Sequence, residues 1–228
     1  IPGRNHPVTQ HHHHASFLLS DIYQLVLEGR NVLVFLPGKG EIERMRTDLN
    51  LLLTKEKVRC ELLPLHGELE IEDQNRVFQN FPHPKVVLAT DIAQTSLTID
   101  DIDAVVDAGQ KKEIQVSRGI EGLVLTDCSQ AECQQRAGRA GRVRPGVYLL
   151  CSESGPQERP AFPQPEIQRL PLEQVILRLF TWGLDPDQFP FFHPPNRVLV
   201  GKAIRHLRTF GALSAQGKDV TGDGRLMA

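Results

Sequence analysis

The stretch NVLVFLPGKGEIERMRTDLNLLL (residues 31–53) predicts a strand followed by a helix. Its apolar run at 32–36 is rich in valine and indicates a buried strand, whereas residues 41–53 carry apolar side chains at helical spacing. The proline and glycines between the two runs indicate a turn. An apolar strand followed by an amphipathic helix is typical of a parallel sheet covered by helices.

The same alternation continues on both sides of this stretch. Further apolar runs predict strands at 61–65, 85–89, 104–107 and 147–151, and helical spacing predicts helices at 16–28 and 70–81. We therefore expect an α/β fold in which the carboxyl ends of the parallel strands gather the functional groups. The alternation stops after residue 108, where strands at 113–116 and 123–126 are predicted to form a hairpin around SRGIEG.

A proline-rich stretch predicts a domain boundary. SESGPQERPAFPQPE (152–166) contains four prolines and one glycine, which indicates a linker. Beyond it, helices are predicted at 172–181 and 198–210, with Gly183 and Gly211 as their caps, followed by a turn-rich tail. The expected organisation is a first domain at 1–152, a linker at 153–165 and a smaller domain at 166–228.

Composition excludes some classes of protein. The net charge of −2 argues against a surface that coats nucleic acid, although it allows a local basic groove. No apolar run reaches the roughly 18 residues of a membrane span, and no signal peptide opens the chain. The four cysteines fit neither a disulfide framework nor a C-x-x-C pair, which favours reduced thiols and a cytoplasmic protein. The HHHH run (11–14) is a tag, a metal site or a coincidence.

QQRAGRAGR (134–142) is the stretch that favours phosphate chemistry. Ser129 and Glu132 have the spacing of a capping box, so a helix is expected from residue 130 until Pro145 and Gly146 stop it. On such a helix Gln135, Arg139 and Arg142 would share one face, with small residues between them. Two guanidiniums beside an amide suit a transferring phosphoryl group. The alternative is a solvated basic helix face.

The motif QRAGRAGR (135–142) resembles the last conserved motif of superfamily 2 helicases, in the form of the DEAH-box/RNA-helicase-A group. IPGRNHPV (1–8) resembles the start of the second RecA-like domain of that group, and NVLVFLPGKGEIE (31–43) resembles its motif IV, in wording closer to bacterial members. ATDIAQTSLTIDDID (89–103) resembles motif V, and residues 165–228 are similar to the winged helix that follows.

The resemblance implies a RecA-like parallel sheet flanked by helices, with a β-hairpin insertion, followed by a small winged-helix domain. Helicases of this group hold ATP between two RecA-like domains, and the first domain carries the phosphate loop and the Mg²⁺-binding acidic motif. Neither G-x-x-x-x-G-K-[ST] nor D-E-x-H occurs in this sequence. We therefore expect a missing N-terminal RecA-like domain to hold Mg²⁺, and we expect this fragment to be inactive alone.

The resemblance also implies roles for residues at the nucleotide. Gln135 would order the attacking water and Ser96 would sense it. Arg139 and Arg142 would contact the γ-phosphate as arginine fingers. The ribose would lie near two further residues of motif V, Thr98 and Asp100.

The expected partner is RNA, bound through its backbone as a single strand without sequence preference. Thr90, Thr95, Gly38 and Lys39 are the predicted contacts, and the hairpin would help separate strands or guide the RNA. Between residues 110 and 144, seven Lys and Arg stand against four acidic residues, which fits an edge that faces phosphate.

Two departures from the usual motif V, ATNIAETSLTI, bear on function. Asp91 replaces an asparagine and would repel phosphate if position 91 lies near the RNA, while Gln94 replaces a glutamate and removes a charge. The favoured function is the C-terminal half of an ATP-dependent RNA helicase. The alternatives are a non-catalytic RNA-binding or regulatory module of a degenerate helicase, and a DNA translocase.

Overall fold

The computed structural model describes residues 6–95, 97–117, 120–142 and 144–228. The chain divides into two compact units. The first contains Ile1–Glu113 and Leu125–Pro163, and the second contains Ile114–Val124 and Gln164–Ala228. The boundary at 163/164 falls within the proline-rich stretch, and the outer part of the hairpin is grouped with the second unit.

The first unit is built on a six-stranded parallel sheet, and it also contains the inner part of a separate two-stranded hairpin. The strands are β1 (Val8–His13), β2 (Val32–Phe35), β3 (Glu61–Leu65), β4 (Lys85–Ala89), β5 (Ala104–Asp107), β6 (Gln110–Ser117), β7 (Ile120–Asp127) and β8 (Gly146–Cys151). The order in the sheet is β1-β8-β5-β2-β4-β3, while β6 and β7 form the hairpin. In the middle of the sheet Val34 pairs with Leu88 on one side and Val106 on the other. The expected α/β fold is confirmed.

Eight helices accompany these strands in the described part of the chain. They are α1 (Leu18–Leu27), α2 (Lys39–Lys55), α3 (Ile71–Asn75), α4 (Ile92–Thr95), α5 (Gln130–Ala137), α6 (Glu173–Thr181), α7 (Arg197–Thr209) and α8 (Gly222–Met227). None of the helices in the described residues is both long and apolar enough to span a bilayer.

Alternation along the strands creates a core on each face of the sheet. In β2, Val32 and Val34 pack with the buried faces of α1 and α2, whereas Leu33 and Phe35 pack with the side that includes α5. Successive side chains of a strand point to opposite faces, so an entirely apolar strand needs helices on both sides. The result is a three-layer unit whose helices fix the loops at the carboxyl edge of the sheet.

The structure differs from the sequence predictions in four elements. The histidine run lies in β1 and just beyond it; this edge strand lacks an apolar signal because four of its six residues are exposed. No His, Cys, Asp and Glu cluster suited to a metal ion occurs among the described residues. The helix predicted at 70–81 is shorter: α3 ends at Asn75 without a buried residue, and the buried Val77 lies in the 3-10 turn Arg76–Phe78 that follows. The hairpin strands are longer than predicted, and the tail contains α8.

The second unit has its own core, where α6 packs against α7. Their buried faces contribute Ile176, Leu177, Val200 and Leu207. Gly183 and Gly211 follow these helices with φ angles of +72° and +71°, the left-handed conformation expected of C-terminal caps. The antiparallel bridge between Leu213 and Val220 is the β structure of the turn-rich tail.

All four cysteines are free thiols, as expected from their spacing. Three of them are buried, and Cys60 is half-buried. Burial raises the pKa of the Cys60 thiol to about 12, and it also raises the pKa values of Cys128, Cys133 and Cys151. A thiol with such a pKa holds almost no thiolate near neutrality, so it is a poor nucleophile.

We expect the native chain to react slowly with a thiol reagent such as 5,5′-dithiobis(2-nitrobenzoate) at pH 8, because the thiolate is the reactive form. Unfolding in guanidinium should release all four thiols. Absorbance at 412 nm measures both reactions. If a thiol of the native chain reacts as fast as an exposed cysteine, the burial and raised pKa described for that thiol are contradicted.

Candidate nucleotide-facing site

Helix α5 begins as the capping box predicts. The Ser129 hydroxyl accepts a hydrogen bond from the Glu132 N–H at 3.3 Å, and the Glu132 carboxylate accepts one from the Ser129 N–H at 2.8 Å. These reciprocal bonds satisfy two backbone donors that a helix start leaves free. The predicted start at residue 130 is confirmed.

The end of α5 corrects the prediction that this helix continues towards Pro145. The helix ends at Ala137, and the backbone then turns through hydrogen bonds from Arg139 to Arg136 and from Ala140 to Ala137. Gly141 lies so close to the entering chain that an added Cβ would be 2.5 Å from the His6 carbonyl oxygen. The clearance at Gly141 therefore admits the protein's own backbone rather than a ligand.

The prediction that Gln135, Arg139 and Arg142 share one helical face is therefore wrong, but the turn still brings them together. They surround a cavity of about 350 Å³ in the first unit. Its lining residues come from α4, α5 and the turn after α5: Gln94, Gln134, Gln135, Gly138, Arg139 and Arg142. Since α4 follows β4, the cavity lies at the carboxyl edge of the sheet, where parallel α/β proteins bind ligands.

A buried ion pair holds α5 to the sheet beneath this cavity. Arg136 is 1% exposed and donates to the Asp107 carboxylate at 2.7 Å, while Asp107 at the end of β5 is fully buried. The carboxylate also accepts hydrogen bonds from the Gly109 N–H and the Tyr148 hydroxyl, at 2.7 and 2.8 Å. The guanidinium lies 4.8 Å from the centre of the Phe35 ring.

The charges of this pair are mutually stabilised. Burial opposes the positive charge of Arg136, but attraction by Asp107 and the nearby Cys128 and Cys133, together with the Asp107 hydrogen bond, leaves the pKa of the guanidinium above its usual range. Burial and the same carboxylate raise the pKa of Tyr148. Sequence reasoning missed both Arg136 and Asp107. Two features could have indicated this ion pair: a carboxylate at the end of an apolar strand, and an arginine between Cys133 and Ala137, both of which are buried.

Gln94 connects the buried ion pair to the cavity. Its side-chain carbonyl accepts a hydrogen bond from the Nε of Arg136 at 3.1 Å, and its Nε2 donates to the Gln135 side-chain carbonyl at 2.7 Å. Gln94 is itself 8% exposed. The hydrogen-bonded series therefore runs from Asp107 through Arg136 and Gln94 to Gln135.

The two arginines predicted as fingers have different environments. Arg139 donates to the backbone carbonyl of Leu97 at 2.8 Å and to that of Gln94, so it braces the end of α4. Burial lowers the pKa of Arg139, and repulsion by Arg142 lowers it further. No hydrogen bond or ion pair joins Arg142 to another of the described residues, although it lines the cavity.

Comparison with known proteins identifies the family. Residues 17–144 match the helicase conserved C-terminal domain, which is more than half of the chain. This chain belongs to the helicase C-terminal family, in its DEAH-box form.

This chain is similar to proteins of bacteria and eukaryotes. It is 37% identical over 207 residues to the ATP-dependent RNA helicase HrpB of Escherichia coli, covering 88% of this chain and 25% of HrpB. It is 39% identical over 249 residues to the pre-mRNA-splicing factor ATP-dependent RNA helicase prp22 of Schizosaccharomyces pombe, covering 100% of this chain and 21% of that protein.

A solved structure agrees with the sequence comparison. The crystal structure of the E. coli DExH-box NTPase HrpB matches this chain with a TM-score of 0.86 and 33% identity, covering 99% of this chain and 29% of that chain. The chain therefore spans less than a third of the length of these relatives. That motif IV is closer to bacterial members stays a prediction, since the bacterial and the eukaryotic relative have similar sequence identities to this chain.

Two further residues predicted to contact the nucleotide, Thr98 and Asp100, are not among the described residues that line the cavity. Thr98 and Asp100 are exposed on the segment after α4. Ser96 lies outside the described residues. Their roles at the nucleotide stay predictions.

The predicted RNA contacts are distributed over two loops at the carboxyl edge. Thr90 follows β4 and is half-buried, with its N–H donating to the Leu65 carbonyl at 3.1 Å, and Thr95 is the last residue of α4. Gly38 caps the start of α2 in an extended conformation. Lys39 forms an exposed ion pair with Glu68 at 2.7 Å, which raises the pKa of Lys39.

Most described basic side chains between residues 110 and 144 are neutralised by carboxylates of the same chain. Four of the basic side chains between 110 and 144 pair with carboxylates in the described structure: Lys111 with Glu113 and Glu132, Lys112 with Glu41, Arg136 with Asp107, and Arg144 with Asp103. Arg139 binds carbonyls, as described above. Among the described basic residues of this stretch, Arg142 is therefore the one whose guanidinium has no carboxylate or carbonyl partner.

Replacing Arg136 with methionine should destabilise the first unit by about 3–5 kcal/mol, because the change leaves Asp107 buried without its partner. Urea unfolding measures the loss. Arg46→Met is the matched control, since Arg46 pairs with Glu43 on the surface and should change stability by about 0.5 kcal/mol or less. Equal stability of the two variants would refute the structural role of the pair.

Replacing Gly141 with alanine should cost roughly 1–3 kcal/mol, because its Cβ would collide with the His6 backbone. Gly40→Ala serves as the control: no atom lies within 4 Å of its added Cβ, and the site is helical, so stability should stay equal or rise. Unfolding midpoints in urea compare the two. An unchanged midpoint for Gly141→Ala would contradict the close approach.

Proposed function

We propose that this chain is the C-terminal half of an ATP-dependent RNA helicase and supplies the guanidinium groups of a divided ATP-hydrolysis site. The observation that carries the proposal is the position of Arg142, which lines the cavity beside Gln135 without a partner among the described residues. Relatives named ATP-dependent RNA helicases support the same activity.

The chemistry of the cavity fits the terminal phosphate of ATP. A transferring phosphoryl group spreads negative charge over its oxygens, and planar guanidinium groups stabilise that charge. Arg142 is free to make this contact first. Arg139 would join it by exchanging the Leu97 and Gln94 carbonyls for phosphate oxygens, which would couple ATP binding to the end of α4.

The proposal assigns the rest of the site to groups outside the cavity. A first RecA-like domain would hold Mg²⁺ and the phosphate loop, so the chain alone would not hydrolyse ATP. Thr98 and Asp100 would face the nucleotide from this chain, and Ser96 would sense the attacking water.

RNA is the proposed partner, bound as a single strand through its backbone. Thr90, Thr95, Gly38 and Lys39 would form the track, with Lys39 exchanging Glu68 for a phosphate. In this proposal the organisation is a second RecA-like domain at 1–152, a linker at 153–165 and a winged helix at 166–228. The hairpin would guide the strand.

We expect Arg142→Ala in the full-length protein to reduce RNA-stimulated ATP turnover by on the order of 10³-fold or more, as loss of an arginine finger does. RNA binding should change little. Phosphate release with saturating ATP and RNA measures turnover. Arg59→Ala is the control, because Arg59 is exposed just before β3, at the opposite edge of the sheet, and should leave turnover unchanged.

Turnover of Arg142→Ala within tenfold of the wild type would refute the finger role. Absence of ATPase activity in the full-length wild type would favour the non-catalytic module instead. Equal stimulation by DNA and RNA would favour a DNA translocase. The 228-residue chain alone should release phosphate only at the background rate.

A further inference from the structure

The contact between Gln94 and Gln135 determines which end of the Gln135 amide is available to a ligand. The two side chains meet at 2.7 Å, and Gln94 also meets the Arg136 guanidinium at 3.1 Å. A glutamine amide has a donor and an acceptor arm whose positions exchange when the amide rotates by half a turn. The choice of arm decides whether Gln135 can donate to a phosphate or accept from a water.

Arg136 removes this ambiguity. A guanidinium has only donors, so the arm of Gln94 that meets Arg136 must be the carbonyl oxygen. Arg136 is in turn fixed by Asp107 and by the Phe35 ring. Gln94 therefore has to present its NH₂ group to Gln135.

The orientation of the Gln135 amide follows from that of Gln94. The group that faces the Gln94 NH₂ must be an acceptor, which is the carbonyl oxygen of Gln135. This leaves the NH₂ of Gln135 without a hydrogen-bond partner in the described part of the chain, on an exposed side chain that lines the cavity with Arg142.

We infer that Gln94 is a positioning residue that directs the NH₂ group of Gln135 into the cavity, where it donates to anionic phosphoryl oxygens beside Arg142. The inference rests on the proposed function and deepens it, since it gives Gln135 a different task from ordering the attacking water through its carbonyl. The amide and the guanidinium together present hydrogen-bond donors to the developing negative charge.

Gln94→Glu reverses the direction of the hydrogen bond between residues 94 and 135 while keeping the shape of the side chain at position 94. The introduced carboxylate accepts from Arg136 and can also accept from the NH₂ of Gln135, so the Gln135 amide rotates and turns its carbonyl towards the cavity. The buried Arg136 keeps an acceptor, so the variant should remain folded. It is also the change that restores the usual residue of motif V.

The direct test measures exchange of side-chain NH₂ protons with water by NMR on the ¹⁵N-labelled 228-residue chain. In the wild type, the Gln94 NH₂ should be protected, and the Gln135 NH₂ should exchange as fast as that of an exposed glutamine such as Gln79. In Gln94→Glu, exchange of the Gln135 NH₂ should slow by about tenfold or more, because it now donates to a carboxylate. Gln135→Ala assigns the signal.

Protection of the Gln135 NH₂ in the wild type would overturn the inference, and so would an unchanged exchange rate in Gln94→Glu. The wild-type measurement alone decides the amide direction if the variant does not fold. This readout does not depend on ATP turnover.

The functional test uses RNA-stimulated ATPase activity of the full-length protein. Gln94→Glu should lower kcat by on the order of 10²-fold with a smaller change in KM, because a donor to the transition state is lost. The double variant Gln94→Glu/Gln135→Ala should be no slower than Gln135→Ala, since Gln94 acts only through Gln135. A further loss in the double variant would overturn the positioning role.

The two proposals fail separately. If Arg142→Ala retains turnover, the finger role is refuted, whereas the NMR result on the amide direction stands. If Arg142→Ala loses turnover but Gln94→Glu is equally harmful with and without Gln135, only the inference about Gln94 is refuted.

Discussion

The buried ion pair between Arg136 and Asp107 is the constraint on which the candidate site depends. It joins α5 to the end of β5, and the surrounding groups leave no oxygen of the carboxylate unused. Charges buried this deeply are tolerated only when they are paired and hydrogen-bonded. Because Arg136 is fixed, the turn that follows α5 leaves the helix at a fixed place, and its arginines face the same cavity as Gln94.

This arrangement separates the tasks of neighbouring arginines. Arg136 is structural and fully enclosed, Arg139 braces backbone carbonyls at the end of α4, and Arg142 lines the cavity with an available guanidinium. The three arginines, which are spaced three residues apart, therefore form a series that runs from the core to the surface. In the proposed function, such a series would let a rigid sheet hold Arg142 ready for phosphate, in keeping with the preorganised charge that stabilises a transition state.

The sequence predicted the sheet well and the site only in part. The strands at 61–65, 85–89 and 104–107 have the predicted bounds because each has a short apolar run with a charged residue at one end. The edge strand β1 was missed, since it consists largely of exposed polar residues that only pairing with β8 makes a strand. Periodicity along one helix could not reveal that α5 ends at Ala137, nor that Gln135 and the arginines meet around a turn. The hydrogen bond between Gln94 and Gln135 could not be predicted from the sequence either, because 41 residues separate the two side chains.

In the proposed function, Arg142 belongs to a catalytic pocket shared with another domain. The most direct measurement is a crystal structure of the full-length protein with ADP, aluminium fluoride and Mg²⁺. We expect a guanidinium nitrogen of Arg142 at about 3 Å from a fluoride. An Arg142 side chain directed into bulk solvent, away from the nucleotide, would contradict it.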